Sequence, residues 1–273
     1  MATYSDWLLV SDIDGTLNNK KRKLPSNNKK AITNFVNAGG HFTLCSGRNL
    51  KSLEKHYLNL GISTPAIYMN GAGIYDFKTK SDIYFKPITH HGESIIFDVL
   101  KKHKTAQLTV FDATTVYRYK HTCLYGLVVS LLDKIDRKLC KTREELPTGR
   151  WGKATIFASK RVCRDIERLL KDEVNSKYVD CFYTSPYSIE IVCAGVNKGS
   201  AVKYLAEYLS IDSGKVAAIG DYFNDEAMLR SVAHPVCCGQ APEKIKALCE
   251  YITCHCNDGA VNDFINYIDK TYI

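Results

Sequence analysis

The sequence lacks any apolar run approaching the roughly 18–20 residues that a membrane-spanning helix needs. Its short run Trp7-Leu8-Leu9-Val10 is too brief for a signal-peptide core, and no basic stretch precedes it. A cytoplasmic location with no membrane association is the expectation. Low-complexity tracts and internal repeats are absent too. Cysteine is plentiful, but its eleven copies form an odd count with no framework spacing, so reduced and mostly buried thiols are expected instead of a disulfide scaffold. Cys237, Cys238, Cys249, Cys254, His255 and Cys256 match no common zinc spacing. Gly71-Ala72-Gly73 lacks the third glycine of a dinucleotide fingerprint and precedes a hairpin pattern, not a helix. The basic residues are not interleaved with aromatics, so nucleic acid is not an expected partner, and no obligate protein partner is evident. The net charge of +8 suits an anionic substrate or simply a lysine-rich surface.

What remains is an ordinary globular composition, 45% hydrophobic and 24% charged, with ample core. At 273 residues the chain is long enough for one large domain or a core with an insertion. The apolar run 7–10 reads as a buried strand. A helix follows over 25–38 with Ser26 as N-cap, Ala31, Ile32, Phe35 and Val36 on one face, and Gly39-Gly40 at its end. A strand over 41–45, a helix carrying Leu50, Leu53, Tyr57 and Leu60, and a strand over 66–69 complete a β-α-β-α-β rhythm, which predicts a parallel sheet with right-handed crossovers. A hairpin is expected around Lys78-Thr79-Lys80. From about Thr89 the rhythm changes: a helix over 93–104, alternating runs over 107–112 and 115–119, a less regular helical stretch over 124–132, then a strand, a helix and two paired strands up to 193. That mixture predicts a separate α+β module. The first pattern resumes at Lys198, with a short buried strand over 216–219 and two shorter strand–helix repeats after it. The expected division is a split core, 1–86 and 192–273, with 87–191 inserted.

The chemistry gathers where strands end. Asp12 and Asp14, in Asp12-Ile13-Asp14-Gly15-Thr16, are either turn residues or a pair sharing a cation or a proton, since close carboxylates repel. A calcium loop is excluded, because its sixth and twelfth positions here hold Leu17 and Lys23. Ser46-Gly47-Arg48 offers a hydroxyl, an accessible N–H and a cation, a phosphate-holding set that is also a common loop composition. Lys198 opens a helix, where a cation opposes the dipole; it is either solvated or faces an anion. Gly220-Asp221 with Asn224-Asp225 is a second acidic cluster. One of its residues suffices to cap the following helix, and the surplus carboxylate favours a hard cation such as Mg²⁺.

These four motifs, in this order, resemble the haloacid dehalogenase superfamily, and more narrowly its Cof-like type IIB phosphatases. The likeness covers about 5–86 and 192–270 and includes Asn70-Gly71 and Asp258-Gly259. It implies an α/β fold, a Rossmann-like parallel-sheet core with an inserted α+β (type C2) cap, and a Mg²⁺-dependent phosphatase acting on a small phosphorylated metabolite, a sugar phosphate foremost. In that scheme Asp12 is the nucleophile and Asp14 the acid and base. Ser46, Gly47, Lys198 and Asn224 hold the phosphoryl group. Asp12, the Asp14 main-chain carbonyl, Asp221 and Asp225 hold the metal, while Arg48 and Asn70 are further substrate contacts. Gln240 departs from the asparagine frequent in such proteins and is expected to lie outside the chemistry. In the cap, Lys120, Arg150, Trp151 and Tyr187 are candidate selectors of the leaving group. A phosphomutase and a catalytically silent phospho-ligand sensor are the alternatives. The strand entering Asp12 is expected at the centre of the sheet.

Overall fold

The structure, a computed structural model, describes residues 4–119 and 137–273. Lys120 and the stretch 124–132, expected to be helical, lie outside the described residues. The fold is the α/β class expected, and its residues cluster into two compact units, Met1–Arg48 with Ser52–Tyr84 and Asn197–Ile273, and Asn49–Lys51 with Phe85–Val196.

In the first unit, the strands are β1 (Leu8–Ser11), β2 (His41–Leu44), β3 (Ala66–Tyr68), β4 (Gly73–Asp76) and β5 (Ser81–Phe85). Continuous apolar runs are what a parallel sheet buried on both faces requires, and all four residues of β1 are buried. The second unit supplies β6 (Gln107–Phe111), β7 (Val116–Tyr119), β8 (Lys138–Cys140), β9 (Lys153–Phe157), β10 (Val179–Ser185) and β11 (Ser188–Cys193). The chain then returns to the first unit for β12 (Val216–Gly220), β13 (His234–Cys237) and β14 (Tyr251–Ile252).

The main sheet runs β14-β13-β12-β1-β2, parallel throughout, with Leu8 opposite both Val216 and His41. The middle strand is therefore β12, not β1, because the returning segment adds three strands on one side. Interior β1 is still flanked on both sides, which fixes Asp12 between two neighbours. Leu8, Val10, Val202, Leu205, Ala218 and Met228 pack into one core cluster, while the helices Ser26–Asn37 and Ala260–Tyr272 pack against each other.

One local expectation is corrected. Ser26 is the first helical residue and Pro25 occupies the cap position with no side-chain bond; proline at a helix start needs no N–H partner. β3 lies parallel to the end of β2, as expected, through a bridge between Cys45 and Ile67, and it also pairs antiparallel with β4, Tyr68 opposite Gly73. The reason is the turn between them: Met69, Asn70 and Gly71 all have positive φ (49°, 57° and 99°), which reverses the chain within three residues.

The second unit is the α+β module expected. Its sheet runs β10-β11-β9-β6-β7-β8, antiparallel except for the β7–β8 pair. Alternation decides its faces: Leu108, Val110, Ala154, Ile156, Ile189 and Ile191 turn inward onto the helices His90–Lys102 and Lys160–Leu170. Thr89 and Ser159 cap those helices. Trp151 is 1% exposed and packs within this core, its indole N–H donating to the Pro147 carbonyl. It is a core residue, which removes it from the candidate selectors. Tyr187 is partly exposed beneath Lys160, and Arg150 is exposed.

Candidate active site

Three strand ends build the site. The Asp12 N–H donates to the Ile219 carbonyl (3.1 Å) and the Cys45 N–H to Ser11 (2.9 Å), so β1 continues its pairing on both sides up to the first carboxylate. The chain then turns through Gly15 at φ 87°, where a Cβ would stand 2.5 Å from an Asp221 carboxylate oxygen. Only glycine both adopts that backbone and leaves the space. Thr16 Oγ1 donates to Asp221 Oδ1 at 3.3 Å.

Lys198 faces an anion, the second of the two readings its position allowed. Asn197 caps its helix in a capping box with Ser200, and the Lys198 ammonium lies 2.5 Å from Asp12 Oδ1 and 2.5 Å from Asp225 Oδ1. Its side chain is fully buried. Asp225 Oδ2 accepts the N–H groups of Asp221 (2.9 Å) and Tyr222 (3.3 Å), so one buried carboxylate ties the lysine to the end of β12. Asn224 sits half-buried in the 3₁₀ turn Phe223–Asp225.

One oxygen each from Asp12, Asp221 and Asp225 lie within 4.8 Å of one another. Three carboxylates gather here, and two of them, Asp12 and Asp225, hold the one ammonium. Burial is the largest influence on Asp12 and pushes its carboxyl up to about 8; Lys198 opposes this, while Asp225 and Asp221 add to it. Burial, then Asp225, raises Asp221 to about 6. Burial alone would lower Lys198, yet Asp12 and Asp225 outweigh it and hold the ammonium well above its ordinary value. A buried, all-oxygen cluster with surplus negative charge suits a hard divalent cation. The residues therefore fit Mg²⁺.

Asp14 stands outside that cluster. Its carboxylate is gripped by the Arg48 guanidinium, Nε to Oδ2 at 2.8 Å and Nη2 to Oδ1 at 2.6 Å. Burial would raise its pKa, but the Arg48 bonds and charge prevail and lower it. The Arg48 N–H donates to Ser46 Oγ (3.3 Å), its carbonyl accepts from Met69 (2.9 Å), and the Asn70 N–H donates to the Ser46 carbonyl (3.0 Å). The left-handed turn Met69–Gly71 thus fastens the loop Ser46-Gly47-Arg48 from behind.

Gln240, expected to lie outside the chemistry, braces the loop that carries Asp14. Its Nε2 donates to the Gly15 carbonyl at 2.6 Å and its Oε1 accepts from the Cys256 N–H at 3.1 Å. Its amide also helps to lower the Asp221 carboxyl against the effect of burial. No spacing signals such a contact across 225 residues. Thr16, by contrast, lay inside the first motif. The ten described cysteines are unbridged, and no helix among the described residues is long and apolar enough to cross a membrane.

A parallel sheet whose carboxyl edge holds a carboxylate–ammonium cluster beside an arginine-clamped aspartate is the arrangement of an α/β protein with a polar site suited to a cation and an anionic substrate. A model of the haloacid dehalogenase-like hydrolases matches residues 9–265. The chain belongs to that family, as a phosphoric monoester hydrolase. It is 27% identical over 248 residues to the 5-amino-6-(5-phospho-D-ribitylamino)uracil phosphatase of Bacillus subtilis, covering 90% of this chain and 89% of the relative. Among solved structures, a haloacid dehalogenase-like hydrolase from Bacteroides thetaiotaomicron superposes with a TM-score of 0.85 at 23% identity, over 96% of this chain and 99% of the other. A haloacid dehalogenase subclass IIB sugar phosphatase does so at 0.81 and 20%, over 96% and 99%. At these identities both solved structures speak for the fold.

Proposed function

We propose that the protein is a Mg²⁺-dependent, cytoplasmic phosphatase that hydrolyses a small phosphomonoester, a sugar phosphate, through an aspartyl-phosphate on Asp12. The observation that carries this reading is the buried Asp12 carboxylate held by Lys198 at 2.5 Å with two further carboxylates beside it. The substrate class leans on the Bacillus subtilis relative, named for a phosphate on a ribityl chain, and on the solved sugar phosphatase.

An Asp12 oxygen attacks phosphorus as the ester P–O bond breaks. Asp14 gives a proton to the departing oxygen, which a poor alkoxide leaving group requires; such transfer typically contributes about 10²–10⁴-fold. Water then attacks the same phosphorus, Asp14 takes its proton, and phosphate leaves with Asp12 restored. Dividing hydrolysis in two lets a weak carboxylate nucleophile act because it is fixed in place. Lys198, Ser46, the Gly47 N–H and Asn224 bind the phosphoryl oxygens, and Lys198 also offsets the repulsion between Asp12 and its anionic target. Arg48 and Asn70 touch the substrate. Asp12, Asp221, Asp225 and the Asp14 carbonyl would hold Mg²⁺, which when bound supplies charge neutralisation at the phosphate.

Asp12→Asn is expected to release no phosphate from 4-nitrophenyl phosphate with Mg²⁺ present, at unchanged circular dichroism. Full turnover by that variant would sink the mechanism. A panel of sugar phosphates, nucleotides and phosphorylated vitamins, read by phosphate release, tests the substrate class; a clear preference for a phosphate not on a sugar overturns it.

A further inference from the structure

The ion pairs of Asp12 and Asp14 differ in kind. The Lys198–Asp12 pair is shut away, with 0% and 7% of the side chains exposed. The Arg48–Asp14 pair is open, at 23% and 51%. Its geometry is a fork meeting a fork, with both carboxylate oxygens engaged. A carboxylate so held has one lone pair of each oxygen committed to the guanidinium and is fixed in that orientation. The fork is braced from the side, since Nη1 also donates to Ser52 Oγ at 3.0 Å, and the main chain that bears it is fastened by Ser46 Oγ and by the Met69 N–H. What can change is which anion the fork holds.

We infer that Arg48 is a positioning residue that latches Asp14, and that the phosphate group of the substrate, a competing oxyanion of the same bidentate shape, opens the latch by taking the guanidinium and so frees Asp14 to face the leaving oxygen. Arginine matches carboxylate and phosphate alike through two parallel N–H donors, so the exchange replaces one fork by another without leaving a charge unpaired. The free site therefore keeps its acid turned aside, and anion binding itself assembles it. An exposed pair exchanges partners at little cost, whereas a buried one does not; this is why the latch involves Asp14 and not Asp12. The inference rests on the reading of Asp14 as acid and base.

The test is a double-mutant cycle on the binding of inorganic phosphate, followed by calorimetry with Mg²⁺ present. Removing Asp14 as a competitor should tighten binding, so Asp14→Asn is expected to bind phosphate about tenfold more tightly than the natural protein, a factor in keeping with one charge-assisted pair. Arg48→Ala should bind it about tenfold more weakly, with Arg48→Lys, which carries the charge without the fork, in between. In the double variant Asp14→Asn with Arg48→Ala, the gain should vanish. A gain that persists without Arg48 would mean only that a negative charge had been removed, and would overturn the latch, as would no gain at all. The kinetic counterpart with an alkyl phosphate is a loss of kcat/KM in Arg48→Ala carried by KM; a loss carried by kcat alone, with KM unchanged, marks Arg48 as a structural prop and overturns it equally. Failure of the underlying reading looks different: Asp14→Asn would then turn over the alkyl ester at the natural rate, whatever the phosphate affinities.

Discussion

Lys198 and Asp12 lie 186 residues apart in the chain and 2.5 Å apart in the fold. The contact is made by two elements with no sequence adjacency, the end of β1 and the first turn of the helix Lys198–Tyr208. It carries Asp225 with it, so a single ammonium joins the first strand end to the β12 end. A lysine at a helix start is electrostatically misplaced unless carboxylates face it. Here two do.

Lys198→Met keeps the length of the side chain and removes the charge. Breaking a buried pair leaves carboxylates without a partner, at a typical cost of about 3–5 kcal/mol. The variant is expected to unfold at lower urea, to lose activity by about 10² or more, and to recover part of its stability with Mg²⁺. Urea unfolding with and without Mg²⁺, together with phosphate release, measures all three. An unshifted urea midpoint would show that the ammonium is not what holds the cluster.

Gln240→Leu removes both amide contacts while keeping the bulk. It strands the Gly15 carbonyl and the Cys256 N–H, at about 1–3 kcal/mol for buried groups left unpaired. The loop that carries Asp14 loses its brace, so kcat is expected to fall several-fold with a small change in KM. Gln240→Asn, one methylene shorter, cannot bridge both partners and should fall between. Thermal melts and steady-state kinetics decide; natural kcat in the leucine variant would return Gln240 to the bystander role.

The core motifs were legible because three of them place chemistry at a strand end and Lys198 places it at a helix start, and strand ends follow from apolar runs such as Leu8-Leu9-Val10 and Val216 to Ile219. What was not legible depends on pairing across the chain. Gln240 reaches Gly15 only because β13 lies two strands from β1. Nothing in the spacing announces that Arg48 also forks onto Asp14. Trp151 looks like a surface aromatic in a polar stretch, but its indole N–H finds Pro147 and its rings join the cap core. The antiparallel pairing of β3 followed from three consecutive positive φ angles, which Met69-Asn70-Gly71 does not announce except at its glycine. The strand Lys138–Cys140, three residues without alternation, had no signal of its own.

Gly199 follows Lys198, and a Cβ there would stand 2.2 Å from the Ala227 carbonyl oxygen. Backbone meets backbone, so no side chain can move aside. Gly199→Ala is expected to push the helix Lys198–Tyr208 off the turn that bears Asp225, at about 1–3 kcal/mol of overpacking. For a chain of this size that is a fall of roughly 3–10 °C in Tm. Lys198 moves with its helix, so kcat should drop as well. Differential scanning calorimetry and phosphate release check both; an unchanged Tm would mean that the close approach relaxes freely.

The acidic cluster makes stability depend on pH and metal together. Asp12 is raised from 3.8 to about 8 and Asp221 from 3.8 to about 6 when no cation is bound. An acid whose folded pKa exceeds its unfolded value binds its proton more tightly when folded, so its contribution is complete below about pH 4 and is lost as pH rises through the folded pKa. The metal-free protein should therefore lose stability from these two groups between about pH 4 and 8. Other titrating groups set the slope of the whole curve, so the telling quantity is the difference made by Asp221→Asn, which should flatten the part between about pH 4 and 6. Mg²⁺ competes with those protons, and its stabilisation, which grows as RT ln(1 + [L]/Kd), should be small at pH 5 and larger at pH 8. Melts across that range in EDTA and in Mg²⁺ supply the comparison. If Mg²⁺ raised Tm equally at pH 5 and pH 8, or raised that of Asp221→Asn as much as that of the natural chain, the cation would be binding somewhere other than this cluster.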